Sequence, residues 1–148
     1  MRSDGSAKNF IKVDYDYCLE LANNALKNGV KRVSIISSVG SNPDSTLLYP
    51  RTKGVTERVL SKLAFDHISI MRPGLILGER KERRIPEKIA IYIFFIIDHF
   101  LFGNLKKYKS ISANDISKAM IYQLINGEKG LHILEYKELS ASAEKFDS

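Results

Sequence analysis

Tyr49 and Lys53 stand four residues apart in the stretch STLLYPRTKG, where a loop gives way to a helical pattern. On a helix, positions i and i+4 share a face, so the ammonium can approach the phenol oxygen. An ordinary phenol has a pKa of about 10, too high for efficient proton exchange at neutral pH. A neighbouring cation favours the phenolate and lowers that value. A Tyr so tuned can trade a proton with a substrate hydroxyl or carbonyl while a hydride moves elsewhere. Ser37 and Ser38 close the apolar run that precedes the loop. A hydroxyl there could hold the substrate oxygen, at the edge where parallel α/β sheets bind ligands. Spacing alone favours two surface side chains that share a helical face by accident, because the chain has seven Tyr and 23 Lys plus Arg. Pro50 directly follows Tyr49. The residue before a proline avoids the α region, which places Tyr49 at the helix entrance, although Pro itself suits a first turn.

The elements that must position these residues follow from periodicity. Residues 14–28 carry Tyr17, Leu21, Ala25 and Leu26 at helical spacing, with Asp14 as a start signal and Gly29 as a stop. VKRVSIISS reads as a strand through Val33, Ile35 and Ile36, and Gly40 with Asn42-Pro43 marks the loop beyond it. A helix from about Tyr49 to Leu63 is expected to turn Val55, Val59, Leu60 and Leu63 inward, and HISIM is a strand stopped by Pro73-Gly74. The charged segment GERKERRIPEK leads to an apolar helix from about Pro86 to Phe102. SANDISKAMIYQLINGEKG is a helix capped by Ser112, Asn114 or Asp115 and ended by Gly127; LHILEY is a last strand. Residues after Glu138 read as a frayed, flexible tail over 139–148. Short apolar strands alternating with helices indicate an α/β fold with a parallel sheet covered on both faces.

Composition narrows the function classes. The 148 residues are 44% hydrophobic and 27% charged, the balance of an ordinary globular domain. A net charge of +6 admits affinity for anionic lipid or a phosphorylated ligand. Nucleic acid is not expected, because no recognition motif or aromatic platform accompanies the Lys residues. Cys18 is the single cysteine, so no internal disulfide forms, and its apolar helical setting predicts a buried structural thiol. His67, His99 and His132 lack metal-ligand spacing, and no metal is expected. The polar start MRSDGSAKNF does not read as a secretory signal. IAIYIFFII is nine residues long before Asp98, well short of the roughly 20 that a spanning helix needs. A buried or interface helix is expected there, with a membrane-surface contact through Lys106, Lys107 and Lys109 as the alternative.

The ordered set VSIISSVG, LLYPRTKGVTERVL and FDHISIMRPGLILGERKERR resembles the short-chain dehydrogenase/reductase superfamily. It is most similar to the atypical branch containing the Tat-interacting oxidoreductase and its fungal mitochondrial outer-membrane relatives. The likeness starts near FIKVDYDYCLELANNALKNGVKR, runs to about Pro86, and resumes in SISANDISKAMIYQL. It implies a nicotinamide cofactor, NADP or NAD, and a carbonyl or alcohol substrate. By position, Ser38 matches the substrate-orienting Ser, with Ser37 the neighbouring candidate. Tyr49 matches the proton donor and acceptor, and Lys53 the residue that lowers the Tyr pKa and holds the nicotinamide ribose. Pro73, Gly74 and Ile76 fall where the family's chain passes the nicotinamide. Arg84 matches a basic position near the cofactor, against a solvated charge run. The resemblance further implies a cytoplasmic or mitochondrial outer-membrane location, on the cytosolic face.

That superfamily seats its dinucleotide on a Gly-rich turn at a helix N-terminus. None of the nine Gly here is spaced G-x-G. The chain therefore reads as the C-terminal half of a doubly wound, Rossmann-like parallel sheet, a partial NAD(P)-binding domain over residues 1–138. The strand VKRVSIISS is expected to have an open side, which predicts marginal stability or dependence on a protein partner or homo-oligomer. Three functions remain in play: an NAD(P)-dependent oxidoreductase, a non-catalytic dinucleotide-binding regulatory protein, and an inactive truncated remnant.

Overall fold

The computed structural model describes residues 3–77 and 109–148. Its first element is longer than local pattern suggests. Helix α1 (Ser3–Ile11) passes without a break through a π-helical stretch, Lys12–Tyr17, into helix α2 (Cys18–Lys27). Asp14 is therefore not a cap but a mid-helix residue on the widened turn. Tertiary contact accounts for the extension: Phe10 stacks on Tyr49, with ring centroids 5.4 Å apart. The helix stops where predicted. Gly29 takes φ +80°, and Val30 N and Gly29 N bond back to Ala25 O and Leu26 O, both at 3.0 Å, which satisfies the last carbonyls.

Strand β1 (Arg32–Ile36), helix α3 (Leu48–Leu60) and strand β2 (His67–Met71) follow. Strands β3 (Ile76–Leu77) and β4 (Ile111–Ser112) form a separate parallel pair. Helix α4 (Ala113–Asn126), strand β5 (Gly130–Leu134) and helix α5 (Tyr136–Phe146) complete the described chain. The main sheet is parallel, in the order β1-β2-β5, with Val33 opposite Ile68 and Ile68 opposite Leu131. Every residue of β2 is buried, as a central strand covered on both faces requires.

Strand alternation sorts two cores. Ile68 and Ile70, with Val33 and Ile35, pack against Ala22 of α2, Leu60 of α3 and Phe65. Met71 and Leu134 face the other way, onto Ile111, Ile116, Ala119 and Leu139. Burying each such side chain contributes roughly 1.5–3 kcal/mol before the entropy of ordering is set against it. The inner face of α3 is more polar than the expected stripe. Leu60 is fully buried, but Thr52, Gly54, Thr56 and Glu57 share that face. Gly54 is required by contact: a Cβ there would lie 2.3 Å from Pro43 N, so α3 and the 42–43 loop touch backbone to backbone.

Two expectations are corrected. Tyr49 is the second residue of α3, inside the first turn, since Pro50 there gives up only an N–H that needs no intrahelical partner. Residues 139–148 do not fray: α5 crosses the proposed boundary at 138 and buries Leu139, Ser142 and Ala143 at helical spacing. A capping box starts it, with Glu135 N donating to Glu138 Oε2 at 3.2 Å. Glu is an uncommon cap, which hid this helix from a pattern search. For α4, Ser112 is the cap, accepting from Asp115 N at 3.0 Å. Arg84, Lys106, Lys107 and the expected Pro86–Phe102 helix lie outside the described residues, and Lys109 stands 5.7 Å from the Tyr136 ring centre.

Candidate active site at the carboxyl edge of the sheet

In a parallel sheet, the strands end together, and the loops after them share one edge. Here β1 runs into Ser37 and Ser38, and β2 into Arg72, Pro73 and Gly74. Ser37 N donates to Met71 O at 2.7 Å and Val39 N to Pro73 O at 3.0 Å, zipping the two strand ends together. Gly40, at φ +79°, then turns the chain towards α3.

Helix α3 brings Tyr49 and Lys53 against the first helix as two rungs one turn apart. Tyr49 meets Phe10, and Lys53 forms an ion pair with Asp14 on the π-helical turn. Side-chain exposure of 16% for Lys53 and 22% for Asp14 leaves this pair mostly shielded from water. Thr56 donates to Asp14 O at 3.0 Å, adding a second tie between the helices. A π-helical turn is a frequent feature of functional sites, because it displaces one residue from the regular ladder. Here it carries the carboxylate that meets Lys53.

One turn further along α3, Glu57 is buried and faces the sheet. Its carboxylate accepts from Ser37 Oγ and, in bidentate fashion, from Arg72 Nε at 3.1 Å and Arg72 Nη2. Ser41 Oγ lies 2.9 Å from Ser37 Oγ and donates to Ser38 O at 2.6 Å. The bond to Glu57, and secondarily that carboxylate's charge, raises the Arg72 pKa further above its ordinary value, outweighing burial. Lys53 and Glu57, four apart on one helix, thus pair with different elements.

A cavity of about 240 Å³ opens between these groups, lined by Asp14, Cys18, Ser37, Lys53 and Thr56 with the apolar Val13, Ile35 and Ile36. Its polar contents converge from three elements: the π-helical turn, the end of β1, and α3. Cys18 is half-buried on its wall. Burial pushes its thiol up, and the nearby Lys53 charge only partly offsets that.

The sequence-predicted residues are thus placed unevenly. Ser37 and Lys53 line the cavity together, while Ser38 is half-buried beside it, donating to Val39 O at 3.2 Å. Tyr49 is half-buried against Phe10, one turn from Lys53, and is not among the lining residues. Pro73 is fully buried and Gly74 half-buried past the end of β2, on the same sheet edge; Ile76 is 45% exposed in β3. Sequence reasoning did not single out Asp14, Glu57 or Arg72 for this site. A signal existed for Glu57, an acid at i+4 from Lys53 on the same helix. For Asp14 there was none, since its partner is 39 residues away.

Comparison with known proteins agrees with this architecture. No family model matches the sequence. The chain is 41% identical over 135 residues to protein FMP52, mitochondrial, of Candida albicans, covering 84% of this chain and 55% of that protein. It is 31% identical over 140 residues to protein HTATIP2 of Rattus norvegicus, covering 93% of this chain and 56% of that protein. The chain thus spans about half the length of the curated relatives it matches. Among solved structures, the UDP-N-acetylglucosamine 4-epimerase of Methanobrevibacter ruminantium superposes with a TM-score of 0.56 at 21% identity, over 84% of this chain and 47% of the epimerase. The dTDP-glucose 4,6-dehydratase DesIV of Streptomyces venezuelae, solved with NAD bound, gives 0.55 at 20%, over 97% of this chain and 52% of DesIV. The likeness to these enzymes is one of fold. The chain is thus similar to the FMP52 and HTATIP2 proteins over about half of their length, and its parallel α/β sheet has the Rossmann-like fold of the solved epimerase and dehydratase.

Proposed function

We propose that this chain carries the proton-handling part of an NAD(P)-dependent oxidoreductase acting on a small carbonyl or alcohol. What supports the reading above all is Lys53: a shielded ammonium in a cavity at the carboxyl edge of a parallel sheet, one helical turn from Tyr49 and beside Ser37. DesIV, similar in fold, is solved with NAD. The residues fit one end of such a cofactor. A cavity of about 240 Å³ suits a nicotinamide and ribose, and falls below the roughly 300–1,000 Å³ of a complete small-molecule site. Bound there, the nicotinamide would supply the hydride acceptor or donor, with Lys53 holding the ribose; Pro73, Gly74 and Ile76, which the resemblance assigns to the ring, do not line this cavity.

This chain's own residues handle the proton. In the alcohol-oxidising direction, the carbinol carbon loses hydride and the hydroxyl proton passes to the Tyr49 oxygen; reduction runs the reverse. Lys53 stabilises negative charge on that oxygen, and Asp14 orients Lys53. Ser38 orients the substrate oxygen, with Ser37 held in register by Glu57. The fungal relatives are named mitochondrial, and the same location, at the outer membrane, is the one proposed for this chain.

One observation favours a second reading. Tyr49 packs on Phe10 and does not line the cavity, as a non-catalytic dinucleotide-binding protein would allow. A single experiment separates the two. The chain is fused to the unmatched part of the Candida relative and assayed with reduced NAD or NADP and a panel of carbonyl compounds. Tyr49→Phe should abolish cofactor oxidation and leave dinucleotide affinity nearly unchanged, whereas Lys53→Met should weaken binding itself. Binding without turnover in the unsubstituted protein would establish the regulatory reading. Absence of both would leave an inactive remnant.

A further inference from the structure

The sheet face that meets α4 is polar towards its amino edge. Strand alternation sends Val33, Ile35, Ile68 and Ile70 to the other core, so Arg32, Ser34, His67, Ser69 and His132 project to the α4 side. Arg32 stands opposite His67, and Ser34 opposite Ser69, which in turn stands opposite His132. Each polar group buried there needs a partner.

Three of these side chains hold one turn of chain, that between α4 and β5. Arg32 Nη2 donates to Gln123 O at 2.9 Å and to Gly127 O at 2.5 Å, where α4 ends. His67 Nδ1 and His132 Nε2 lie 2.6 and 2.9 Å from Glu128 O. A carbonyl only accepts, so each of those nitrogens carries a hydrogen. The two rings stack, with centroids 5.1 Å apart. Gly127 rests on the fully buried His67 ring: a Cβ there would lie 2.3 Å from His67 Cε1. Each strand of the main sheet thus grips the turn through one side chain.

Arg32 Nε, Ser34 Oγ and His67 Nε2, all on this face, are buried without a hydrogen-bond partner among the described residues. Arg32 Nε–H can only donate. His67 Nε2, with the ring hydrogen committed to Nδ1, can only accept. A water between them accepts from the first and donates to the second, and Ser34 Oγ can take its other hydrogen. The charged and titratable groups around the His67 ring are Arg32 from β1 and His132 from β5. Gln123 of α4, beside Gly127, is neutral, and no carboxylate is among the charges that act on the ring. A proton on Nε2 therefore removes the acceptor and sets a second cation beside Arg32.

We infer that a buried water joins Arg32 Nε to His67 Nε2 beneath the end of α4, and that the cluster is a latch on the α4–β5 turn which a proton on His67 opens. The charged ring leaves for water and gives up Glu128 O and Gly127, while Arg32 keeps the last carbonyls of α4. Opening is local to the turn. Burial first, then the charges of Arg32 and His132, hold the His67 pKa below its ordinary 6.5 despite the bond to Glu128 O, so the latch is closed at neutral pH and loosens as pH falls.

Nothing in this inference rests on the cofactor reading, and the 148-residue chain tests it directly. Nitrogen-resolved NMR of the His67 ring near neutral pH should show Nδ1 protonated and Nε2 bare, with Arg32 Nε–H in contact with a long-lived water. Gly127 N donates to Gln123 O and Gly130 N to Asp66 O, so hydrogen exchange at these two amides reports on the turn. With an open-state His67 at its ordinary 6.5, lowering the pH from about 7.5 to about 5 favours opening by at most about thirtyfold. A loss of protection of about tenfold or more is expected, after correction for intrinsic exchange, while the Ser37 amide, bonded to Met71 O at the other end of β1, keeps its protection. His67→Gln, whose amide still donates to Glu128 O, should abolish the response, and Arg32→Met should move its onset to higher pH. Where a variant does not fold, the ring state and the exchange of the unsubstituted chain still decide. A His67 ring protonated at Nε2 near neutrality, no water at Arg32 Nε, protection that ignores pH, or a response that survives His67→Gln would each overturn the inference.

Discussion

Removing the Glu57 carboxylate should be among the most damaging single changes in the molecule. Glu57→Ala leaves the Arg72 guanidinium without its bidentate partner and Ser37 Oγ without its acceptor. Breaking a buried pair from one side destabilises by about 3–5 kcal/mol, mostly through the charge left behind. The Arg72 side chain keeps 22% of its exposure, so water recovers part of that loss, and the low end, about 3 kcal/mol, is expected. An internal control exists. Lys118 pairs with Asp147, whose side chain is 55% exposed, and Lys118→Ala should lose less than about 1 kcal/mol. Urea unfolding followed by circular dichroism, extrapolated linearly to water, measures both. The double variant Glu57→Ala, Arg72→Ala should be less destabilised than the two single losses added, because the orphaned charge is gone. A Glu57→Ala loss no larger than that of Lys118→Ala would refute the reasoning, and would mean that Arg72 reaches water freely.

Three further outcomes are expected. Gly54→Ala places a Cβ 2.3 Å from Pro43 N and must push the 42–43 loop away from α3, destabilising by about 1–3 kcal/mol in the same unfolding assay. His67 is buried, and burial first, then the charges of Arg32 and His132, lower its pKa despite its bond to Glu128 O. The folded chain therefore holds this proton more weakly than the unfolded chain. Its contribution to stability is intact above a pH of about 6.5 and is lost as pH falls from there through the lowered folded value, a slope that should vanish in His67→Leu. Cys18, with its thiol pushed up by burial, should alkylate slowly at neutral pH and show a reactivity midpoint above that of a free thiol.

How much of this was legible in the sequence depends on how far each residue's partner lies along the chain. Strands β1, β2 and β5 and helices α3 and α4 follow from patterns within a window of about a dozen residues, and Ser112 and Gly29 act as local signals predict. The first helix was read short because Phe10 is held by Tyr49, and α5 was missed because Leu139 packs in a core assembled from β2, β5 and α4. The site divides in the same way. Lys53 was found by its offset from Tyr49, and Ser37 by its place at a strand end, both short-range features. The carboxylates they meet were not, since the Lys53–Asp14 bond spans 39 residues and the Ser37–Glu57 bond spans 20.

The polarity of α3's inner face follows from the same arrangement. A helix that only covered a sheet would present Leu and Val there, and α3 does so just at Leu60. Nearer the carboxyl edge it presents Lys53, Thr56 and Glu57, whose partners belong to the π-helical turn, the end of β1 and the residue after β2. Apolar contact would fix those elements only loosely, because dispersion is indifferent to direction. Charge-assisted hydrogen bonds fix angle as well as distance. Three elements are thereby tied to one helix at the place where the cavity opens, and the net gain in stability is small because each buried charge must first lose its water. Geometry, not stability, is what such an arrangement secures. Replacing Glu57 and Arg72 together by Met and Leu should therefore return much of the stability lost in Glu57→Ala, while leaving Ser37 Oγ, on the cavity wall beside Lys53, without its acceptor on α3.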